Sequence, residues 1–248
     1  MLKINNIKFS YNKKDSFIFD DISFDIKKSE IISVIGRSGL GKTTLLNLIS
    51  GLLKPNSGNI NLNDSTINST QLDICYLKQR HTLLFYRNVL ENTLLNSEIR
   101  NQLTPNKINK AKELIDRYGL ENALDKFPEE LSEGMKQRVG IIQTLITEAK
   151  LYLFDEPFSS IDSYHSKLIE NDIWSKIKAN CLNAIIISHD LEQAVAISDR
   201  IILLPSNNKS PIIIDLDKNF KNQLPSERRK QSLFSKELLK TIQCFSEN

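Results

Sequence analysis

The residues best suited to chemistry stand in two short strings far apart in the chain. The first, Gly36-Arg-Ser-Gly-Leu-Gly-Lys42-Thr43, follows the β-branched run Ile31 to Ile35. It precedes a stretch in which Leu45, Leu46, Ile49 and Leu52 recur at helical spacing. A strand, a glycine-rich turn and a helix start, in that order, make a phosphate cradle. The turn wraps the anion with amide N–H groups, and the helix adds the positive end of its dipole. Gly36, Arg37, Ser38, Gly39, Leu40, Gly41 and Thr44 are expected to line that cradle. Lys42 is expected to reach the β- and γ-phosphates, and the Thr43 hydroxyl to ligate Mg²⁺. The second string, Leu151-Tyr-Leu-Phe-Asp155-Glu156, is an apolar run ending in two carboxylates. The first acid can hold Mg²⁺ and the second can polarise an attacking water as general base.

These strings must be positioned by an alternation of strands and helices. Ile4, Ile7, Phe9 and Tyr11 alternate with polar residues as in half-buried strands, and Pro55 to Gly58 stop the helix after the cradle. Residues 88–135 read as a separate helical lobe, with Pro105 at a helix start and Ala111, Leu114, Ile115 and Tyr118 on one face. Strand patterns return at Leu151 to Phe154, Ala184 to Ile187 and Ile201 to Leu204, with Ile212 to Ile214 and a terminal helix from Ser235 in the tail. The pattern predicts an α/β protein with a mostly parallel sheet covered on both faces. Residues 1–87 and 136–248 then form the core around the inserted lobe.

Composition narrows the function. The 248 residues carry 33 basic and 30 acidic side chains, intermixed, for a net charge of +3, which argues against nucleic acid as a partner. Cys75, Cys181 and Cys244 have neither metal-site nor disulfide spacing and read as reduced thiols in a cytosolic protein. The opening residues are charged where a signal peptide needs an apolar run. No apolar stretch approaches the ~18 residues needed to span a bilayer. Work at a membrane would then be done from its surface, through a partner.

Two features bear on which base is bound. Asn12-Lys-Lys-Asp15 matches the short Asn-Lys-x-Asp pattern that reads guanine, but it precedes the phosphate loop where that motif follows it. Tyr11, beside it, offers an aromatic face that can stack on adenine.

Further segments carry a resemblance to the ATP-binding cassette (ABC) ATPases over nearly the whole chain. Gln79 resembles the family's glutamine loop, which senses Mg²⁺. Leu131-Ser-Glu-Gly-Met-Lys-Gln-Arg138 resembles the signature segment, and Asp155-Glu-Pro157 matches the Asp-Glu-Pro of the acidic strand end. Ser159-Ser-Ile-Asp162 resembles the dimer-contacting aspartate loop, and Ile187-Ser-His189-Asp190 the switch histidine. Tyr11 sits where the family's adenine-stacking aromatic lies. The resemblance implies a P-loop core, an N-terminal antiparallel β part and the inserted helical lobe. It implies ATP and Mg²⁺ as ligands, with Glu156 and His189 catalytic and Thr43, Gln79 and Asp155 around the metal. Ser132, Glu133, Gly134 and Met135 are then expected to meet the nucleotide of a second copy, with Asp162 in the dimer loop. Glu133 replaces a usual glycine, and its carboxylate is expected on the outer side of the turn, since facing a phosphate would bring like charges together.

A single cassette without a coiled-coil insertion resembles a separate transporter subunit. Thr82 to Asn92 is similar to a stretch in uptake systems of the nitrate, sulfonate and taurine type, with Phe85 and Tyr86 in place of Pro-Trp. That resemblance implies a homodimer on the cytoplasmic face of the cell membrane, beneath two integral-membrane permease subunits. An extracellular or periplasmic substrate-binding protein would act indirectly. Phe85 is expected to anchor the permease. The rival reading is a soluble ABC-type ATPase with a regulatory or assembly role, and a permease gene beside this one would decide against it.

Overall fold

The computed structural model describes residues 1–12, 16–63, 65–67, 73–79, 83–205 and 210–246, the side chains of positions 219 and 221 excepted. Strand β1 (Leu2–Phe9) pairs antiparallel with β2 (Phe19–Ile26). Strict alternation would send Ile4 and Ile7 to opposite faces, because they are an odd number of residues apart. Both are nevertheless buried, because the register shifts between them and Asn6 adopts φ +47°. That bulge re-aims the strand, so Leu2, Ile4, Ile7 and Phe9 all reach the core.

Next come β3 (Ile31–Ile35), α1 (Lys42–Ile49), β4 (Ser57–Leu62), the two-residue β5 (Ser65–Thr66) and β6 (Ile74–Leu77). Helices α2 (Val89–Ile99) and α3 (Pro105–Arg117) follow, then α4 (Glu133–Ile146), which runs unbroken through position 135. Pro105 opens α3 as its sequence suggests, with Thr104 capping from the preceding position. The chain continues through β7 (Leu151–Asp155), α5 (Ser163–Ala179), β8 (Asn183–Ile187), α6 (Leu191–Ile197), β9 (Arg200–Leu203) and β10 (Ile212–Asp215). It ends with the short α7 (Lys218–Lys221) and α8 (Pro225–Arg228) and with α9 (Ser232–Ser246), which starts earlier than Ser235.

Two sheets result. One is antiparallel, in the order β2-β1-β4-β5, and the other is ordered β10-β9-β3-β8-β7-β6. In the larger sheet β9, β3, β8, β7 and β6 are parallel, and β10 joins the edge antiparallel. The α/β expectation with an antiparallel β part holds. Strand parity divides the core. Leu151 and Leu153 of β7, with Ile185 and Ile187 of β8, pack toward α1 and the antiparallel sheet. Tyr152 and Phe154 point the other way, into a cluster with α4, α5 and the helices of residues 89–123. Helix α1 therefore lies between the sheets, which fixes the loop before it against the carboxyl ends of β3, β7 and β8. Ligands of open parallel sheets bind at those ends.

Candidate functional site

Gly41 caps α1 in the left-handed region, at φ +83°. A Cβ there would come within 2.5 Å of Ile18 and 2.9 Å of Phe19, so the tight turn requires glycine. No side chain caps α1, whereas Asn88, Thr104, Ser132, Asp162 and Asp190 cap α2 to α6 with side-chain oxygens. The first amides of α1 are thus the ones left for an anion. Beside them Lys42 is buried, and its Nζ donates to the carbonyls of Gly36 (2.9 Å) and Arg37 (3.1 Å). Burial draws its pKa down, and the charges of Glu156 and Asp155 oppose that pull. Leu40 turns away and packs against the apolar cluster under the antiparallel sheet.

A cleft of about 470 Å³ opens over this turn, lined by Ser38, Gly39, Gly41, Lys42, Thr43 and Thr44. Tyr11, Gln79, Glu156 and His189 form the rest of its wall. The Tyr11 side chain is 60% exposed, stands edge-on to Phe9, and places its hydroxyl 3.1 Å from that of Thr44. Its ring is free to meet a planar group. Of the Asn12-to-Asp15 string, positions 13–15 lie outside the described residues, as do His81 and Thr82.

Asp155 ends β7 with only 1% of its surface exposed. The Tyr76 hydroxyl donates to its Oδ2 at 3.5 Å, and its Oδ1 finds no partner among the described residues. Burial raises its pKa, and the Glu156 charge pushes the same way, while the Thr43 hydroxyl, Tyr76 and Lys42 draw it down. An orphaned carboxylate oxygen beside a threonine hydroxyl suits a hard divalent cation completed by phosphate oxygens and water, so the residues fit Mg²⁺.

Glu156 carries its side chain on a backbone at φ +51°, a conformation that costs a non-glycine residue ~1–3 kcal/mol. Its carboxylate is held from two sides, by Nε2 of Gln79 at 2.9 Å and by Nε2 of His189, which pairs with Oε1. The Glu156 amide donates to the Ile187 carbonyl at 3.1 Å, tying the acid to the strand end that presents His189.

The remaining expected residues do not line the cleft. Ser132 caps α4 by accepting from the Met135 amide at 3.3 Å. Glu133, in the first turn, is exposed and pairs with Lys136 at 2.7 Å. Gly134 is packed so tightly that a Cβ would sit 2.5 Å from the Ser160 carbonyl oxygen. Asp162 caps α5 through the amides of Tyr164 and His165 (3.1 Å each) and pairs with the His165 ring. Those bonds, the His165 amide first, hold its carboxyl below the ordinary range.

The sequence reading missed Tyr76 and Gln137. Tyr76 sits beside Leu153 in the β6–β7 pairing, on the same side as Asp155. Its signal was strand parity, which needs the pairing to be known. Gln137 is a buried amide on the core face of α4 that donates to the Pro157 carbonyl. Its signal was a polar residue one turn before Gly140 and Ile141, in helical register with that buried run.

A glycine turn with an open helix end, a buried lysine and an acid pair at the end of β7, one strand removed from β3, define a P-loop nucleotide hydrolase. Comparison with known proteins makes this specific. The family model described as ABC transporter matches residues 19–159. An uncharacterised ABC transporter ATP-binding protein of Bacillus subtilis is 34% identical over 233 residues, 93% of this chain and 89% of that one. A nitrate import ATP-binding protein of Synechococcus elongatus is 36% identical over 201 residues, 79% of this chain but only 30% of that longer protein. Among solved structures, a dimeric ATP-binding cassette in a post-hydrolysis state with ADP and Pi superposes with a TM-score of 0.77. That match covers 88% of this chain and 99% of that one at 24% identity, and it speaks for the fold. The chain belongs to the ABC transporter ATP-binding family, and it is an ATPase coupled to transport. Among the described residues, no helix is long and apolar enough to cross a membrane.

Proposed function

We propose that the cleft over Gly36 to Thr44 binds ATP with Mg²⁺ and hydrolyses it between two copies of this chain, seated beneath two permease subunits. The observation that carries this reading is the acidic pair. Asp155 is buried with an unpartnered oxygen, and Glu156 beside it is gripped by Gln79 and His189 at the edge of the cradle. Lys42 would leave the loop carbonyls for the β- and γ-phosphates, and the open amides of α1 would take the phosphate oxygens. Thr43, Asp155 and Gln79 would hold Mg²⁺, which when bound neutralises charge on the phosphates. Glu156 would accept the proton of the attacking water while His189 keeps its carboxylate in place. Tyr11 would stack on the adenine. In the partner chain, Ser132 to Met135 would approach the same nucleotide, with Asp162 nearby.

The membrane reading rests on Phe85 and Tyr86. Phe85 is 78% exposed, and its ring meets that of Tyr86 edge-to-face at 5.2 Å, so the pair projects out of the core. An exposed aromatic anchor of this kind suits a short permease helix at the cytoplasmic surface. The name of the nitrate importer supports a small anionic solute, such as nitrate, a sulfonate, taurine or a related organic anion, delivered by a substrate-binding protein.

Two measurements test the proposal. Glu156→Gln should lower turnover roughly 10²–10⁴-fold while the variant still binds ATP and accumulates as a dimer in light scattering. Near-normal turnover would sink the base assignment. Phe85→Ala should leave thermal stability and ATP binding intact yet weaken co-purification with the permease subunits. Undiminished co-purification would remove Phe85 from the docking surface.

A further inference from the structure

Helix α4 does more than present the signature turn. Its first turn lies flush on the loop that carries the general base, with no space for a side chain between Gly134 and the Ser160 carbonyl. One turn further on, Gln137 is 1% exposed and donates its Nε2 to the Pro157 carbonyl at 3.0 Å, with the Glu156 carbonyl at the limit of reach, 3.5 Å. The same Glu156 carbonyl accepts from the Ser159 hydroxyl (3.1 Å) and amide (3.3 Å). Glu156 holds φ +51° on this loop, and a non-glycine residue keeps that conformation only where its surroundings impose it. Pro157 lacks an N–H, so the carbonyls on either side of its ring are the backbone handles available for fixing this corner. Gln137 holds the second of them.

We propose that Gln137 is a positioning residue that ties the signature turn of one chain to the catalytic carboxylate of the same chain. The inference rests on the reading of Glu156 as general base and of the signature as a contact to the partner's nucleotide. The signature of a chain then serves one ATP and its Glu156 serves the other. Gln137 is a direct side-chain link between them: a shift of α4 on meeting nucleotide moves the Pro157 carbonyl and with it the aim of Glu156. A misalignment of about 1 Å is enough to cost a large factor in rate.

Gln137→Met keeps length and volume and removes the donor. In the purified full-length protein it should lower kcat roughly 10- to 100-fold while the KM for ATP changes little. The Hill coefficient for ATP should fall to about 1, because the two sites no longer report to each other. A folded Gln137→Met with wild-type kcat and Hill coefficient overturns the proposal. So does a lowered kcat with undiminished cooperativity, which would make the residue a local support only. Should Gln137→Met fail to fold, Gln137→Asn retains the amide but withdraws it beyond reach of Pro157, and the same criteria apply to it. Glu156→Gln in the same assay separates the layers. Wild-type turnover there overturns the base assignment itself, whereas an inactive Glu156→Gln beside an unaffected Gln137→Met overturns only the coupling.

Discussion

The N-termini of α1 and α4 are both aimed at phosphate in the proposed mechanism, yet they are built in opposite ways. At α1 the cap is a left-handed glycine, no side chain covers the first amides, and no acid lies in the first turn. Nearby stand a buried lysine and a buried carboxylate with an orphaned oxygen. At α4 the cap is Ser132, bonded to the Met135 amide, and the first turn carries Glu133 paired with Lys136. Every feature of the α4 end stabilises an isolated helix. The features of the α1 end leave donors and charge unsatisfied until a ligand arrives. The lesson is that the cradle holds its function against the stability of the free chain. The signature end is satisfied alone and, in the proposed mechanism, would exchange its cap for a second nucleotide.

Three substitutions test the difference between the two helix ends. At the α4 end Ser132→Ala should have the largest effect, because it removes both the proposed donor to the partner's phosphate and the cap. Turnover should fall roughly 10²-fold, in line with loss of one transition-state donor. Stability should fall by about 1 kcal/mol in denaturant titration. Intact turnover would show that α4 does not meet nucleotide through its serine.

Asp155→Asn should act on stability in the opposite direction. Burial raises the pKa of Asp155 in the folded chain above its unfolded value, so the fold binds that proton more tightly. Ionisation therefore costs stability as pH rises through the folded-state pKa, and the cost is absent below the unfolded one. Replacing the acid should raise the Tm of the nucleotide-free protein at neutral pH by ~2–4 °C for about 1 kcal/mol, while ending metal-dependent turnover. The gain over wild type should disappear in acid. A lowered Tm at neutral pH would mean that the carboxylate is a structural partner and not a held charge.

Glu133→Gly should have the smallest effect. It removes an exposed first-turn charge, so stability should drop by ~0.3–1 kcal/mol and turnover should stay within a few-fold. A large gain in ATPase rate would mean that Glu133 faces the phosphate and damps the enzyme.

Much of the site was legible because its parts are short strings whose chemistry depends on adjacency. The glycine spacing before Lys42 and the acid pair after an apolar run each read without a partner segment. The bulge at Asn6 was not legible, since Ile4 and Ile7 share a side only after the ladder slips. The alternation breaks there, with Asn5 and Asn6 in succession, but the break does not say how the ladder absorbs the extra residue. Phe85 could equally have packed inside the helical lobe by its residue type, and only its neighbours place it outside.

Residue spacing alone specifies the strand-turn-helix proposed to hold phosphate, the acid pair at the end of β7, and the capped start of α4. Each depends on residues a few positions apart, where φ, hydrogen-bond reach and periodicity are local. Folding was needed to show that Tyr76 meets Asp155, that Gln79 and His189 grip Glu156 from two sides, and that Gln137 fastens α4 to the Pro157 carbonyl. Those contacts join segments from different strands and helices. They exist because the β6-β7-β8 order sets strand ends side by side, and because the packing of α4 brings the buried Gln137 amide to the carbonyls that follow β7.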